Sequence, residues 1–230
     1  MYLAGLQKLT LLDFPGKVAC TVFTAGCNFR CGFCHNASLV LRPGQTQQLR
    51  LEEFFAFLQK RRGILDGVCV TGGEPLLHED LPALLAGIRE LGFAVKLDTN
   101  GSDPKRLEWI LTQHLVDYVA MDIKNCPDRY GETVGIKDFD VAPIRESVSL
   151  LMNGDTPYEF RTTIVKKLHD LPEIREMGRW IQGANAWFLQ NFVDSGDLID
   201  PETTGHEEEK MRALLAAAQE FIPSASLRGV

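Results

Sequence analysis

Lys17-Val18-Ala19-Cys20-Thr21-Val22-Phe23-Thr24 is an apolar, β-branched run that passes through Ala25-Gly26 into Cys27-Asn28-Phe29-Arg30-Cys31-Gly32-Phe33-Cys34. The run predicts a strand covered on both faces. Its C-terminal end delivers three thiols within eight residues. In parallel α/β folds, catalytic groups gather at that end of the strands, so one stretch bears on both fold and function.

Working outward, the same pairing of a short apolar run with an amphipathic segment recurs. Strands are predicted over 17–24, 67–71, 93–98, 117–123, 158–165 and 186–192. Helices are predicted over 51–62, 81–91, 104–114, 142–153, 171–182 and 206–221. Six strand–helix units in strict alternation indicate parallel βαβ crossovers. Two architectures meet that pattern, an open doubly wound sheet and a barrel with six of the usual eight units. No Gly-rich dinucleotide fingerprint follows the first strand, which weakens the nucleotide-binding form of the open sheet.

The distribution of polar residues favours the barrel. The first strand runs into Cys27, Cys31 and Cys34, and the second ends in Gly72-Gly73-Glu74-Pro75. The third ends in Asp98-Thr99-Asn100 and the fourth in Asp122-Ile123-Lys124. Arg161 lies inside the fifth, and the sixth closes on Gln190-Asn191. Polar groups are costly to bury without partners, and six such strand ends on one rim predict a site.

Composition limits what that site serves. The chain has 230 residues, is 45% hydrophobic and 24% charged, and carries a net charge of −7. This is ordinary globular composition, it fits one large domain over 1–230, and it argues against a broad basic face for nucleic acid or anionic lipid. No apolar run approaches the roughly 18 residues of a membrane span, and the first ten residues lack a signal-peptide pattern. The expectation is a cytoplasmic protein that binds neither membrane nor nucleic acid directly.

In a reducing cytosol, clustered cysteines point to metal or chemistry rather than disulfides. The spacing C-x3-C-x2-C admits several readings. A structural zinc wants four ligands, usually in two pairs; here the fourth would have to be His35 or Cys126. An iron–sulfur cluster is normally held by four cysteines, so three leave one iron open to an external ligand, which suits the spacing better. Unliganded core cysteines are the third reading. Cys20 and Cys69 lie within apolar strands and read as core, while Cys126 on the rim is ambiguous. His78, His114, His169 and His206 have no metal-ligand spacing.

The other strand ends are equally open. Gly72-Gly73-Glu74-Pro75 is either an ordinary βα turn or a pocket whose backbone oxygens and carboxylate suit an ammonium group. Strand alternation puts Lys96, Asp98 and Asn100 on one face, and Asp122 with Lys124 on another. These charges form either a structural ion-pair ring or a site for a zwitterion or cation. Arg161 suits structural pairing.

Taken together, Cys27, Cys31 and Cys34 with Phe33 before the last cysteine, followed one βα unit later by Gly72-Gly73-Glu74-Pro75, resemble the radical S-adenosylmethionine (SAM) superfamily over roughly 12–192. Within it, Asp13-Phe14-Pro15-Gly16, Ala25-Gly26-Cys27-Asn28, Cys34-His35-Asn36, Asp98-Thr99-Asn100-Gly101 and Asp122-Ile123-Lys124 are similar to glycyl radical enzyme activating proteins. The likeness is nearest to those serving anaerobic ribonucleoside-triphosphate reductase, as Leu227-Arg228-Gly229 also suggests. The second cysteine-rich insert of some activases is absent from this sequence.

The resemblance implies an α/β fold, a partial (β/α)6 TIM-like barrel of the radical SAM type. It implies a [4Fe–4S] cluster on Cys27, Cys31 and Cys34, whose fourth iron binds SAM. Phe33 and His35 would lie near the adenine, Gly72, Gly73 and Glu74 at the methionine ammonium, and Lys124 at its carboxylate. Asp98, Asn100 and Arg161 would also line the cofactor, and Asp98, Thr99 and Asp122 would offer a monovalent cation site. The implied partners are a glycyl radical enzyme and, as electron donor, flavodoxin or ferredoxin.

Overall fold

The computed structural model describes residues 3–45 and 48–229 and is α/β throughout. The chain divides into two compact units. One comprises Met1–Asn28, Ser38–Ala120 and Asp155–Pro157, the other Phe29–Ala37, Met121–Gly154 and Tyr158–Val230.

The first unit is built on strands β1 (Leu3–Thr10), β2 (Ala19–Thr24), β3 (Gly67–Gly72) and β4 (Ala94–Thr99). Helices α1 (Ala37–Leu41), α2 (Leu51–Gln59), α3 (Leu81–Glu90) and α4 (Pro104–Thr112) fall along the same stretch of chain. β2, β3 and β4 run parallel, with Cys20 opposite Val68, Thr24 opposite Gly72 and Cys69 opposite Lys96. The helices form where apolar residues repeat at helical spacing. In α3, Leu81, Leu84, Leu85 and Ile88 make one buried face. Helix α4 starts at Asp103, whose carboxylate accepts the Arg106 N–H at 3.0 Å, with Pro104 in its first turn.

Strand β5 (Tyr118–Asp122) begins in the first unit and ends in the second. The second unit adds β6 (Tyr158–Ile164), β7 (Trp187–Asn191) and β8 (Ser226–Arg228), which pair in parallel. Its helices are α5 (Tyr130–Val134), α6 (Ala142–Asn153), α7 (Leu171–Trp180) and α8 (Glu208–Gln219). Asp170 and Glu173 close a reciprocal capping box at the start of α7.

Strand order follows the chain, β1 to β8, in an eight-stranded sheet. Six of those strands are the expected ones, and β1 and β8 are additions. β1 pairs antiparallel with β2 and buries only its two ends, Leu3 and Thr10. Its middle is solvated, so it has no apolar run to betray it. The three residues of β8 are too few for a pattern, yet Arg228 anchors them with bonds of 2.7 and 2.9 Å to the two oxygens of Glu159, which is fully buried. Among the described residues no helix is long and apolar enough to cross a membrane.

Candidate functional site

Each unit assembles its own group of the expected residues. In the first, three successive strand ends meet. Past β3 the chain folds against the end of β2: the Gly73 N–H donates to Thr24 O at 2.9 Å and the Glu74 N–H to Gly26 O at 2.8 Å. This approach requires glycine. A Cβ on Gly73 would sit 1.8 Å from the Gly26 carbonyl oxygen, and one on Gly72 2.4 Å from the Thr24 backbone. His78 adds a bond from Nε2 to Ala25 O at 2.9 Å. The glycines are thus spent on docking the loop that leads into Cys27.

Glu74 is buried, and its carboxylate is engaged inside the protein. Oε1 accepts the Thr99 hydroxyl at 2.7 Å and the Leu76 N–H at 3.0 Å, while Oε2 accepts the Asn100 N–H at 2.6 Å. It therefore ties the end of β3 to the end of β4. Beyond that corner, Asn100 Nδ2 donates to Asn28 Oδ1 at 2.9 Å and lies 3.9 Å from Cys27 Sγ. Asn28 Nδ2 donates to Ser102 Oγ at 2.8 Å, and the Ser102 N–H returns to Asn100 Oδ1 at 2.9 Å. Ser102 was not singled out by sequence, and Asn28 entered only as part of the stretch Ala25-Gly26-Cys27-Asn28.

The second group surrounds Phe29–Ala37. The Arg30 N–H donates to Val134 O at 2.8 Å, and the Asp200 N–H to Gly32 O at 2.8 Å. His35 stacks on Phe192 at 5.2 Å between ring centroids and donates from Nε2 to Val193 O at 2.8 Å. Its ring is therefore held in place by the protein. Cys126 is buried at the start of a short turn, and burial pushes its thiol up. Burial likewise pushes Cys20 up to about 12. Both thiols are buried.

Lys124 sits in this group with its ammonium 5.8 Å from the Phe33 ring centre. It donates to Asp122 Oδ2 at 2.9 Å, and Arg161 Nε donates to Oδ1 of the same carboxylate at 2.9 Å. Burial opposes the charge on Asp122, but Arg161 and Lys124 outweigh it and hold the carboxyl at about 2. Burial also opposes the charge on Lys124, and Asp122 with the nearby Cys31 drives that pKa upward instead. Of the three N–H donors on Lys124, Asp122 takes one. The backbone here is fixed by His169, whose Nε2 donates to Lys124 O at 2.8 Å.

The donor sets separate two expected groups. Cys27, Cys31 and Cys34 form no disulfide, Cys31 buried and the other two half-buried, and soft sulfur donors suit iron. No three metal-binding side chains among the described residues converge on a point that one ion could fill. The carboxylates expected at a monovalent cation are engaged in ion pairs. Asp98 is neutralised by an ion pair with Lys96, both of them buried, and Asp122 by Lys124 and Arg161. The Thr99 hydroxyl is spent on Glu74 and on the Gly101 N–H. The ion-pair alternative is what the structure contains.

The model of the radical SAM superfamily matches residues 21–175. The chain is 29% identical, over 99% of its own length and 95% of the other, to a Methanocaldococcus jannaschii protein provisionally named a glycyl-radical enzyme activating enzyme. It is 37% identical to the 7-carboxy-7-deazaguanine synthase of Halobacterium salinarum, covering 86% of this chain and 76% of that one. Among solved structures, a domain of pyruvate-formate lyase-activating enzyme from Bacteroides vulgatus superposes with a TM-score of 0.59 at 17% identity, over 71% of this chain and 99% of that one. That likeness speaks for the α/β, partial-barrel fold. Zinc-module chemistry is set aside by the family match. The chain belongs to the radical SAM superfamily, whose cofactors are a [4Fe–4S] cluster and SAM.

Proposed function

We propose that this chain, acting as one radical SAM domain over 1–230, installs a glycyl radical on a partner enzyme, with anaerobic ribonucleoside-triphosphate reductase as the preferred partner. The observation that carries the reading is the near end-to-end match to a relative named for glycyl-radical enzyme activation. The strand-end motifs resemble those of activating proteins in general, and the Leu227-Arg228-Gly229 motif resembles those serving the reductase. Reduced flavodoxin or ferredoxin would supply the electron, in the cytoplasm.

In this reading Cys27, Cys31 and Cys34 hold the cluster, and their spacing of three and two intervening residues leaves one iron for SAM. Cluster and SAM together supply a 5′-deoxyadenosyl radical by one-electron cleavage of the sulfonium. The protein binds, orients and shields. Lys124, with donors to spare and a fixed backbone, attracts the methionine carboxylate, and Phe33 covers one side of that ammonium. Arg161 keeps Asp122 from claiming all of the Lys124 charge. Gly72 and Gly73 bring their turn against Gly26, and the carbonyls there suit the methionine ammonium better than the occupied carboxylate of Glu74. His35 offers its backbone to the adenine while its ring is held by Phe192 and Val193. A radical of this kind attacks any nearby C–H, so geometry must choose the target.

A second reading is supported by the 37% match to a 7-carboxy-7-deazaguanine synthase: a radical SAM enzyme acting on a small molecule. The test is electron paramagnetic resonance on anaerobic mixtures of cluster-loaded protein, SAM, reductant and candidate glycyl radical enzymes. A glycyl doublet with one partner, lost in Cys31→Ala, supports the activase. No doublet with any candidate, alongside 5′-deoxyadenosine formed only with a small substrate, overturns it.

A further inference from the structure

Asn100 holds a fixed amide donor beside Cys27. Ordinarily an asparagine's oxygen and nitrogen are interchangeable in a structure, but here its neighbours settle them. The Ser102 backbone N–H can only donate, and it meets Oδ1 at 2.9 Å. Oδ1 is therefore the acceptor and Nδ2 faces the other way. One Nδ2 hydrogen goes to Asn28 Oδ1 at 2.9 Å, and Nδ2 lies 3.9 Å from Cys27 Sγ, within sulfur hydrogen-bond range. Asn28 is oriented in turn by its bond to Ser102 Oγ. Asn100 is buried and its backbone is pinned by Glu74. The amide has no other orientation that satisfies this ring.

A donor aimed at a cysteine sulfur matters when that sulfur ligates iron. One-electron reduction adds negative charge to the cluster and its thiolates, and a hydrogen bond to sulfur stabilises that charge. Such bonds are among the factors that set cluster potentials. Resting on the reading that Cys27 ligates the cluster, we propose that Asn100 is a positioning residue that raises the reduction potential of the [4Fe–4S] centre through an Nδ2–H···Sγ bond to Cys27, with Asn28 and Ser102 holding the amide in that orientation.

The readout is the midpoint potential of the cluster in the full chain, titrated anaerobically with dithionite, without SAM, and followed by the electron paramagnetic resonance of the one-electron-reduced form. Iron and sulfide content of the unmodified chain comes first; if it takes up no four-iron cluster, the cysteine reading itself fails. With the cluster present, Asn100→Ala is expected to shift the midpoint to more negative potential. Asn100→Asp also loses the donor but keeps the acceptor for Ser102, and is expected to shift at least as far. Two midpoint results overturn the proposal: both Asn100 variants at the original midpoint, or a shift in Asn100→Asp alone, which is a charge effect. Failure of both variants to retain a cluster that the unmodified chain holds also overturns it, since the donor would then serve assembly and not potential.

Discussion

Glu74 Oε2 accepts the backbone N–H of Asn100 at 2.6 Å, across 26 positions of sequence. With the Thr99 hydroxyl and the Leu76 N–H on Oε1, this makes Glu74 the joint between the β3 and β4 strand ends. A carboxylate that the sequence offers to a ligand is occupied by the protein's own donors. Its contribution to a cofactor site runs through the corner it holds.

Glu74→Gln keeps the shape but turns an amide NH2 toward at least one buried donor. Leaving such a donor unsatisfied costs about 1–3 kcal/mol. The urea midpoint should fall accordingly, and Thr99→Val should lower it by a smaller amount. An unchanged midpoint in Glu74→Gln would falsify the role of Glu74 as a joint.

Gly73→Ala demands more. Its Cβ would meet a backbone oxygen at 1.8 Å, and a backbone atom cannot swing aside as a side chain can. The substitution should cost upward of about 3 kcal/mol and lower iron content after reconstitution. Gly44→Ala meets nothing within 4 Å and should stay within about 0.5 kcal/mol of the parent. Thermal melts of the two variants side by side give the comparison.

Because Asp98 and Asp122 are neutralised by Lys96, Lys124 and Arg161, SAM affinity should not depend on monovalent cations. Calorimetry on cluster-loaded protein should give dissociation constants equal within about twofold in sodium, potassium and tetramethylammonium buffers. A change of about tenfold, equivalent to about 1.4 kcal/mol, would mean that a cation displaces one of these ion pairs.

His169 makes stability depend on pH. The Val165 N–H donates to Nδ1 at 3.0 Å, so Nδ1 carries no proton, and Nε2 donates to Lys124 O. Burial lowers its pKa from 6.5 to about 4. Between those values the unfolded chain binds a proton that the native state refuses. Stability should therefore fall as pH drops from 6.5 towards 4, by up to about 1.4 kcal/mol per pH unit from this residue. His169→Asn should start less stable but show a flatter dependence across that window in urea titrations at successive pH values.

Much of the fold was legible along the chain. Helix α6, Ala142–Asn153, has the bounds its periodicity predicts, and the other five expected helices end within three residues of expectation. Periodicity is a property of neighbouring residues, and buried faces impose it. β1 escaped because an exposed edge strand has no buried face to mark its middle residues, and β8 because three residues carry no period. The contacts of Asp197 O with the Ala37 N–H and of the Asp200 N–H with Gly32 O were illegible for a related reason: they are made by backbone atoms, which every residue shares.

The sequence by itself determined the chemistry available: three thiols at a strand end, a double glycine one unit later, and alternating charges such as Lys96 with Asp98. Family membership follows from those residues in that order. Only the tertiary structure decided how the polar groups are spent. It gave Asp98 to Lys96, divided Asp122 between Lys124 and Arg161, bound Glu74 to Thr99 and Asn100, and turned the Asn100 amide toward Cys27. Spacing limits which groups can meet, but hydrogen bonds and ion pairs depend on distances of a few ångström between residues far apart in the chain, and those distances exist only once strand register and loop packing are set.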